Sequence, residues 1–123
     1  MERILVVDDN LDICRTLRDD LNEVGYEAEF VTNGYDAISY LEKHRVDLML
    51  LDLKMQGKDG FEVLKDVKAN NIKTKVIVLT AYADVKSAID SAKLGASDFI
   101  SKPYDFDELI ITIRKVLQRE NDS

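Results

Sequence analysis

Three aspartates of this chain each stand directly after an apolar run. Asp8 and Asp9 follow the run at residues 4–7, and Asp52 follows the run at residues 48–51. Acidic side chains in this position are typical of the carboxyl end of a buried parallel strand, where open α/β sheets place their ligand sites. Three carboxylates at one sheet edge repel each other unless a cation joins them. A hard cation with oxygen ligands suits such a set.

Two further polar residues occupy comparable positions. Thr80 ends the apolar run at residues 76–79, and Lys102 follows the short run at residues 99–100. Read alone, they are an ordinary strand threonine and an ordinary surface lysine. Together with the aspartates they place acid, acid, hydroxyl and amine at successive strand ends. Lys102 also precedes Pro103, the only proline, and a cis X-Pro bond in a tight turn could direct the lysine inward.

The elements that must position these residues alternate along the chain. Apolar runs predict five strands, at residues 4–7, 28–31, 47–51, 75–80 and 99–100. Helical stripes follow each run, which gives a βα unit repeated five times and a parallel sheet with helices on both faces. We therefore predict an α/β fold: a doubly wound five-stranded parallel sheet, order 2-1-3-4-5, flavodoxin-like (βα)5. Its switch point lies between the first and third strands. The second strand is interrupted by Glu29, which favours a position near an edge.

Apolar residues at helical spacing define the helices, and such a stripe normally faces the core. In the first helix the stripe ends before Gly25, a plausible stop; in the fourth it ends before Gly95. The strongest pattern belongs to the fifth helix. The stripes used below are Cys14, Leu17, Leu21 and Val24 in the first helix; Val85, Ala88, Ile89 and Ala92 in the fourth; and Phe106, Leu109, Ile110, Ile113, Val116 and Leu117 in the fifth.

Composition limits the function classes. The chain has 123 residues, a net charge of -7 and 46% hydrophobic residues, which predicts one domain at 1–119 and a polar tail at 120–123. The acidic balance argues against direct nucleic-acid binding. No signal peptide or membrane-length apolar stretch occurs, so no membrane partner and a cytoplasmic location are expected. Cys14 is the only cysteine, which excludes an internal disulfide and favours a small apolar helix residue.

The combined motifs resemble those of the two-component response-regulator receiver domain, which has a chemotaxis-protein-like fold. No single motif is specific, but together they span the whole chain at the family's spacing. They are Ile-Leu-Val-Val-Asp8-Asp9, Leu-Leu-Asp52-Leu-Lys-Met55, Asp59-Gly60, Leu79-Thr80-Ala81, Gly95-Ala96 and Lys102-Pro103.

This resemblance implies roles for the residues at the strand ends. Asp52 would accept a phosphoryl group, which Thr80 and Lys102 would contact. Asp8 and Asp9, with Asp52 and the backbone carbonyl of Lys54, would hold Mg²⁺, with Mn²⁺ or Ca²⁺ as possible substitutes.

The resemblance also implies roles for two pairs of residues, one in the conformational switch and one in the lifetime of the phosphorylated form. Thr80 and Phe99 would form the switch. Lys54 and Tyr82, each two residues after a site residue, would project over the mouth of the site and tune dephosphorylation. A lysine and a tyrosine at these two positions resemble the pattern of single-domain receivers of sporulation-type phosphorelays. We therefore expect a phosphorylated form that hydrolyses slowly.

The chain departs from the family pattern in the loop after Asp52. Gln56 and Lys58 stand where the family commonly has a proline and a hydrophobic residue. Without the proline we expect a more mobile loop, and Lys54 and Lys58 make it unusually basic.

A docking surface is expected beside the site, at Asn10, Ile13 and Thr16 on one side and Pro103 and Tyr104 on the other. Ile13 lies off the apolar stripe of the first helix, which suggests an exposed apolar contact. A sensor histidine kinase or a phosphotransfer protein is the expected partner, and the downstream protein target is unknown.

The resulting hypothesis is a phosphoacceptor receiver module of a two-component or phosphorelay system. We expect no enzyme activity beyond Mg-dependent self-phosphorylation and slow autodephosphorylation. Two alternatives stay open: a receiver fragment of a larger transcriptional regulator, and an interaction module that works without phosphorylation. Four residues follow residue 119, which leaves no room here for a DNA-binding output domain. An enzyme on a flavodoxin-like or phosphatase-like plan is disfavoured, because no Gly-rich phosphate loop follows the first strand.

Overall fold

Strands and helices alternate along residues 1–119, which are the residues that the structure, a computed structural model, describes. The predicted polar tail at 120–123 lies outside these described residues. The elements are β1 (Arg3–Val7), α1 (Leu11–Glu23), β2 (Glu27–Val31), α2 (Gly34–Lys43), β3 (Leu48–Leu51), α3 (Gly60–Ala69), β4 (Lys75–Thr80), α4 (Val85–Lys93), β5 (Asp98–Ser101) and α5 (Phe106–Arg119).

The five strands form one parallel sheet in the order β2-β1-β3-β4-β5. The predicted fold class, strand order and edge position of β2 are thereby confirmed. Residues 48–51 of β3 are buried at every position, as a continuous apolar run predicts for a strand covered on both faces. The register pairs Val7 of β1 with Leu51 of β3. The residues that follow these two strands are Asp8 and Asp52, so both lie at the same sheet edge.

The sheet separates two apolar clusters, because successive side chains of a strand point to opposite faces. One cluster joins alternate strand residues to α1 and α5, and Leu17 and Leu109 are fully buried there. The other joins the remaining strand residues to α2 and α3, and includes Ala37 and Val63. The core therefore continues through the sheet and fixes the strand ends that carry the candidate site.

The helix ends follow from local sequence. The Asn10 side chain caps α1 by accepting a hydrogen bond of 3.1 Å from the backbone N–H of Ile13. Gly25 follows α1 with φ of 106°, which favours glycine. Asp59 and Glu62 form a reciprocal capping box at the start of α3. The prediction that Val24 belongs to the buried stripe of α1 is wrong: it is the C-cap residue and is 47% exposed.

The apolar stripe of α4 does not face the core, which corrects a second expectation. Val85 and Ile89 are 75% and 49% exposed, whereas Ser91 is 1% exposed. Leu94 and Ala96, which follow the helix, pack against the second cluster. Ser91 satisfies its hydroxyl by donating to the Ala88 carbonyl at 3.0 Å. Because the buried side of α4 is small and partly polar, periodicity alone identified the helix but not the direction in which it faces.

Within residues 1–119, no helix has both the length and the apolar character needed to cross a membrane.

Candidate active site

Three carboxylates meet at the carboxyl ends of β1 and β3. One oxygen from each of Asp8, Asp9 and Asp52 lies within 4.8 Å of the other two. Asp8 and Asp52 are 4% and 9% exposed, and Asp9 is exposed. Asp8 is held by the backbone N–H of Asn10, which donates to its Oδ1 at 2.9 Å. The three residues that the sequence singled out are therefore brought together in the arrangement that strand-end placement predicts.

Thr80 and Lys102 complete this group from β4 and the loop after β5. The buried hydroxyl of Thr80 donates to Asp52 Oδ1 at 2.7 Å. The Lys102 ammonium donates to Asp8 Oδ2 at 2.5 Å and lies 3.5 Å from Asp52 Oδ2. The Lys102–Pro103 peptide bond is cis. The ion pair with Asp8 shows that the lysine side chain turns inward, as the sequence allowed.

The pKa of Lys102 reflects the balance of charges at the site. Burial lowers this pKa, but the hydrogen bond and charge of Asp8 and the charge of Asp52 outweigh burial and raise it above the usual value. Lys102 is therefore held as a cation beside the carboxylates.

The donor set fits a hard divalent cation. Among residues 1–119, three carboxylates face one ammonium here, so an excess of negative charge stays between oxygen atoms that lie close together. Oxygen donors of this kind are preferred by Mg²⁺, Mn²⁺ and Ca²⁺. Lys54 contributes its backbone to the same place: its N–H donates to Asp52 Oδ1 at 3.3 Å.

Lys54 and Tyr82 meet beside the site. The Lys54 ammonium contacts the Tyr82 hydroxyl and lies 4.4 Å from the centroid of the tyrosine ring. The backbone N–H of Tyr82 donates to the Thr80 hydroxyl oxygen at 3.1 Å. The contact therefore joins the loop after β3 to the loop after β4, next to the Asp52–Thr80 hydrogen bond. The tuning role predicted for the pair stays a prediction.

Phe99, the predicted switch aromatic, lies on β5 opposite Val78 of β4. It is half-buried and packs against the cluster on the α2 and α3 side of the sheet. It is separated from Thr80 by two positions of register, since Thr80 pairs with Ser101. Phe99 is thus placed on the strand next to the one that carries Thr80.

The expected docking residues are only partly exposed. Asn10, Thr16 and Pro103 are exposed, while Tyr104 is half-buried against the cluster on the α1 and α5 side. The expectation that Ile13 is an exposed apolar contact is wrong, because its side chain is half-buried. Ile13 is next to the fully buried Cys14 on the helix. Its side chain therefore points partly towards the core and is partly covered.

Cys14 is buried, as the sequence indicated, and its Sγ donates to the Asp8 backbone carbonyl at 3.1 Å. Burial, and then the charge of Asp8, raise the pKa of this thiol to about 11. A thiol of this kind is unreactive at neutral pH.

Sequence reasoning missed the position of Lys58. In the loop that is expected to be basic and mobile, Lys58 forms an ion pair with Asp66 of α3, with only 15% of the lysine side chain exposed. No spacing rule connects a loop residue with one eight positions later on the following helix, so the sequence carried no signal for this contact.

The chain matches the family described as the response regulator receiver domain over residues 4–114. It belongs to this family. Receiver domains act in two-component and phosphorelay signalling, where they interact with histidine kinases or phosphotransfer proteins. The resemblance and the phosphoacceptor receiver function inferred from the sequence are confirmed at this level.

Two curated relatives differ in length. The chain is 39% identical over 116 residues to sporulation initiation phosphotransferase F of Bacillus subtilis, and the match covers 94% of each chain. It is also 39% identical over 114 residues to the transcriptional regulatory protein ZraR of Klebsiella oxytoca. That match covers 93% of this chain but spans only 26% of the longer regulator.

A solved structure extends the similarity to three dimensions. A response regulator protein from Thermotoga maritima, in complex with Mg(2+)-BeF, is 36% identical and superposes with a TM-score of 0.85. The match covers 94% of this chain and 99% of that one.

Proposed function

We propose that Asp52 is the phosphoacceptor and takes a phosphoryl group from a histidine of a sensor kinase or phosphotransfer protein. Asp8, Asp9, Asp52 and the Lys54 backbone carbonyl would hold Mg²⁺. We also propose a cytoplasmic location, no direct nucleic-acid binding, and no enzyme activity beyond self-phosphorylation and slow autodephosphorylation.

One observation carries this proposal. Asp52 is the carboxylate on which the other groups converge, because Thr80 donates to its Oδ1 and Lys102 lies near its Oδ2. These contacts fix the orientation of the carboxylate, which is 9% exposed and so still reachable from solvent. It is a suitable nucleophile for a phosphoryl donor that approaches the open edge of the sheet.

The chemical step is a transfer between two nucleophiles. A carboxylate oxygen of Asp52 attacks phosphorus and forms a new O–P bond. The N–P bond of the phosphohistidine breaks, its electron pair stays on the imidazole nitrogen, and that nitrogen is protonated from solvent. The product is an acyl phosphate on Asp52, and catalysis is mainly positioning and charge stabilisation.

The residues around Asp52 supply these effects. A bound divalent cation would neutralise charge on the phosphoryl oxygens. Lys102 offers a second positive charge, already fixed by Asp8. Thr80 donates a hydrogen bond that can move from the carboxylate to a phosphoryl oxygen, since its hydroxyl already lies 2.7 Å from Asp52 Oδ1.

Phosphorylation would also bias a switch. The modification adds roughly -1.5 to -2 charge and three acceptor oxygens next to Thr80. If the Thr80 side chain turns towards them, the hydrogen bond from the Tyr82 N–H to its hydroxyl must break or follow. The space that Thr80 leaves would admit Phe99, and the loop that leads into α4 would change with it.

A relay role is the favoured form of this function. The match to phosphotransferase F covers nearly the whole of both chains, and the Lys54–Tyr82 contact stands beside the acceptor. The output role of a longer regulator is the second candidate, supported by the match to ZraR.

Intact mass spectrometry tests the proposal. The parent protein and Asp52→Asn are incubated with acetyl phosphate, with Mg²⁺ or with EDTA. We expect the mass of one phosphoryl group on the parent only when Mg²⁺ is present, and none on Asp52→Asn. Equal modification of the two proteins would show that another residue is the acceptor.

A further inference from the structure

The loop between β3 and α3, residues 53–59, is anchored at both ends. Leu53 and Met55 are 3% and 6% exposed, so the side chains on each side of Lys54 are fixed in the core. The Gly60 N–H donates to the Leu53 carbonyl at 2.8 Å. Since Lys54 stands between two buried residues, the direction of its backbone carbonyl depends on how the whole loop is held.

Lys58 joins this loop to two helices. Its ammonium forms the ion pair with Asp66 of α3 and lies 5.4 Å from the centroid of the Tyr35 ring on α2. Only 15% of the Lys58 side chain and 36% of that of Asp66 are exposed. The hydrogen bond with Asp66 is the main reason that the pKa of Lys58 is raised. The Lys58 side chain is therefore largely covered, while the Asp66 carboxylate stays partly exposed to solvent.

The backbone of the loop is in close contact with the start of α2. A Cβ atom added to Gly34 would lie 2.5 Å from the Lys58 carbonyl oxygen. Gly57, with φ of 76°, passes the Tyr35 ring so that a Cβ atom there would lie 3.7 Å from it. The loop, the first turn of α2 and the middle of α3 therefore form one packed unit, with the Lys58 side chain between the helices.

We propose that Lys58 is a positioning residue: its ion pair with Asp66 and its contact with Tyr35 hold the β3–α3 loop in the conformation that presents the Lys54 backbone carbonyl to a divalent cation. Lys58 touches neither the carboxylates nor a reacting atom. It replaces, with a side-chain clamp, the backbone rigidity that a proline at position 56 would supply. The inference rests on the proposed metal site and adds the residue that orders one of its ligands.

For Lys58→Met, charge alone makes the opposite prediction, so this variant separates the two explanations, whereas Asp66→Asn tests the same contact without separating them. Removing a positive charge near an acidic metal site favours cation binding. Loss of a residue that orients a metal ligand weakens cation binding, typically 10- to 100-fold. Lys58→Met keeps the aliphatic stem but removes the ammonium, and Asp66→Asn removes its partner. Lys65→Met is the matched control, because Lys65 is exposed on α3 and its replacement changes net charge by the same amount.

Two measurements are made on the 123-residue chain. Hydrogen exchange of the amides of residues 53–59 is followed without metal, and the Mg²⁺ dissociation constant is measured by titration calorimetry. In Lys58→Met and Asp66→Asn we expect exchange and dissociation constant each to rise roughly tenfold. Lys58→Arg should retain most of the parent affinity, and the double variant should lose little more than either single one, because both remove the same contact.

The outcomes separate the two proposals. If the parent binds Mg²⁺ and Lys58→Met shows parent-like affinity or parent-like loop exchange, the positioning role is wrong and the metal site stands. A Lys65→Met control that changes as much as Lys58→Met would also overturn the role, since charge rather than the clamp would be responsible. If the parent itself binds no Mg²⁺, the proposed metal site fails and the inference fails with it.

Discussion

The last two helices have similar sequence patterns and opposite positions in the fold. The stripe of α5 is buried, with Leu109 and Ile113 both at 0% exposure. That of α4 faces solvent, with Val85 at 75% and Ile89 at 49%. Helical periodicity therefore identifies an amphipathic helix, but neighbouring elements decide whether its apolar face becomes core.

The difference matters because both helices flank the candidate site. α5 belongs to the large cluster that supports β1 and β3, so it cannot shift without exposing core. α4 contributes only Ser91 to the buried set and follows the loop that carries Tyr82. A helix held by few apolar contacts can move at low cost, which is the property of elements that respond to a local change. The comparison thus predicts that α5 stays fixed on one side of Asp52. On the other side, α4 and the loop before it form a responsive half, which can move when Asp52 changes.

The largest effect is expected in α5. Leu109→Ala removes a fully buried side chain and leaves a cavity, which should lower the free energy of unfolding by about 2–5 kcal/mol. Chemical denaturation with urea measures this change. Ile111→Ala on the same helix is the control, because Ile111 is 51% exposed. Similar losses of unfolding free energy in both variants would show that α5 does not pack against the sheet as described.

A smaller effect is expected where α4 meets the core. Ser91→Leu forces a large side chain into a fully covered position, and overpacking typically costs about 1–3 kcal/mol. Thermal and urea unfolding would report the loss. Hydrogen exchange should rise in α4 while α5 keeps its protection. A variant as stable as the parent would mean that α4 has free space beneath it and that its buried side does not fix its position.

The contact between Lys54 and Tyr82 links the responsive half to the β3–α3 loop. If it shields the acyl phosphate from water, Lys54→Ala and Tyr82→Ala should each shorten the lifetime of the phospho-form by roughly threefold, which is under about 1 kcal/mol. The decay is followed by intact mass after removal of the phosphodonor. Unchanged decay in both variants would contradict the prediction that this contact shields the acyl phosphate from water, even if the phosphorylated parent itself decays slowly.

The smallest effect is expected on the exposed face of α4. Val85→Ala and Ile89→Ala should change the free energy of unfolding by no more than about 0.5 kcal/mol, since neither side chain is in the core. Urea denaturation beside Leu109→Ala makes the comparison direct. A loss above about 2 kcal/mol would place this stripe in the core and reverse the orientation of α4.

The sequence predicted those features that depend on local or strictly periodic signals. Strand runs that are apolar throughout placed Asp8 and Asp52 at one sheet edge, and the registers of β1 and β3 agree. Features that depend on three-dimensional packing were not predictable. Ile13 is partly covered, and Lys58 pairs with Asp66, because of how helices lie on the sheet rather than because of residue spacing.

The central claim is that a phosphoryl group on Asp52 acts on α4 and leaves α5 in place. Hydrogen exchange with and without beryllofluoride and Mg²⁺, which together mimic the phosphorylated state, tests it directly. We predict altered exchange across residues 81–93, unchanged exchange in the buried turns of α5, and no response at all in Asp52→Asn. An equal response in α4 and α5, or the same response in Asp52→Asn, would contradict the account.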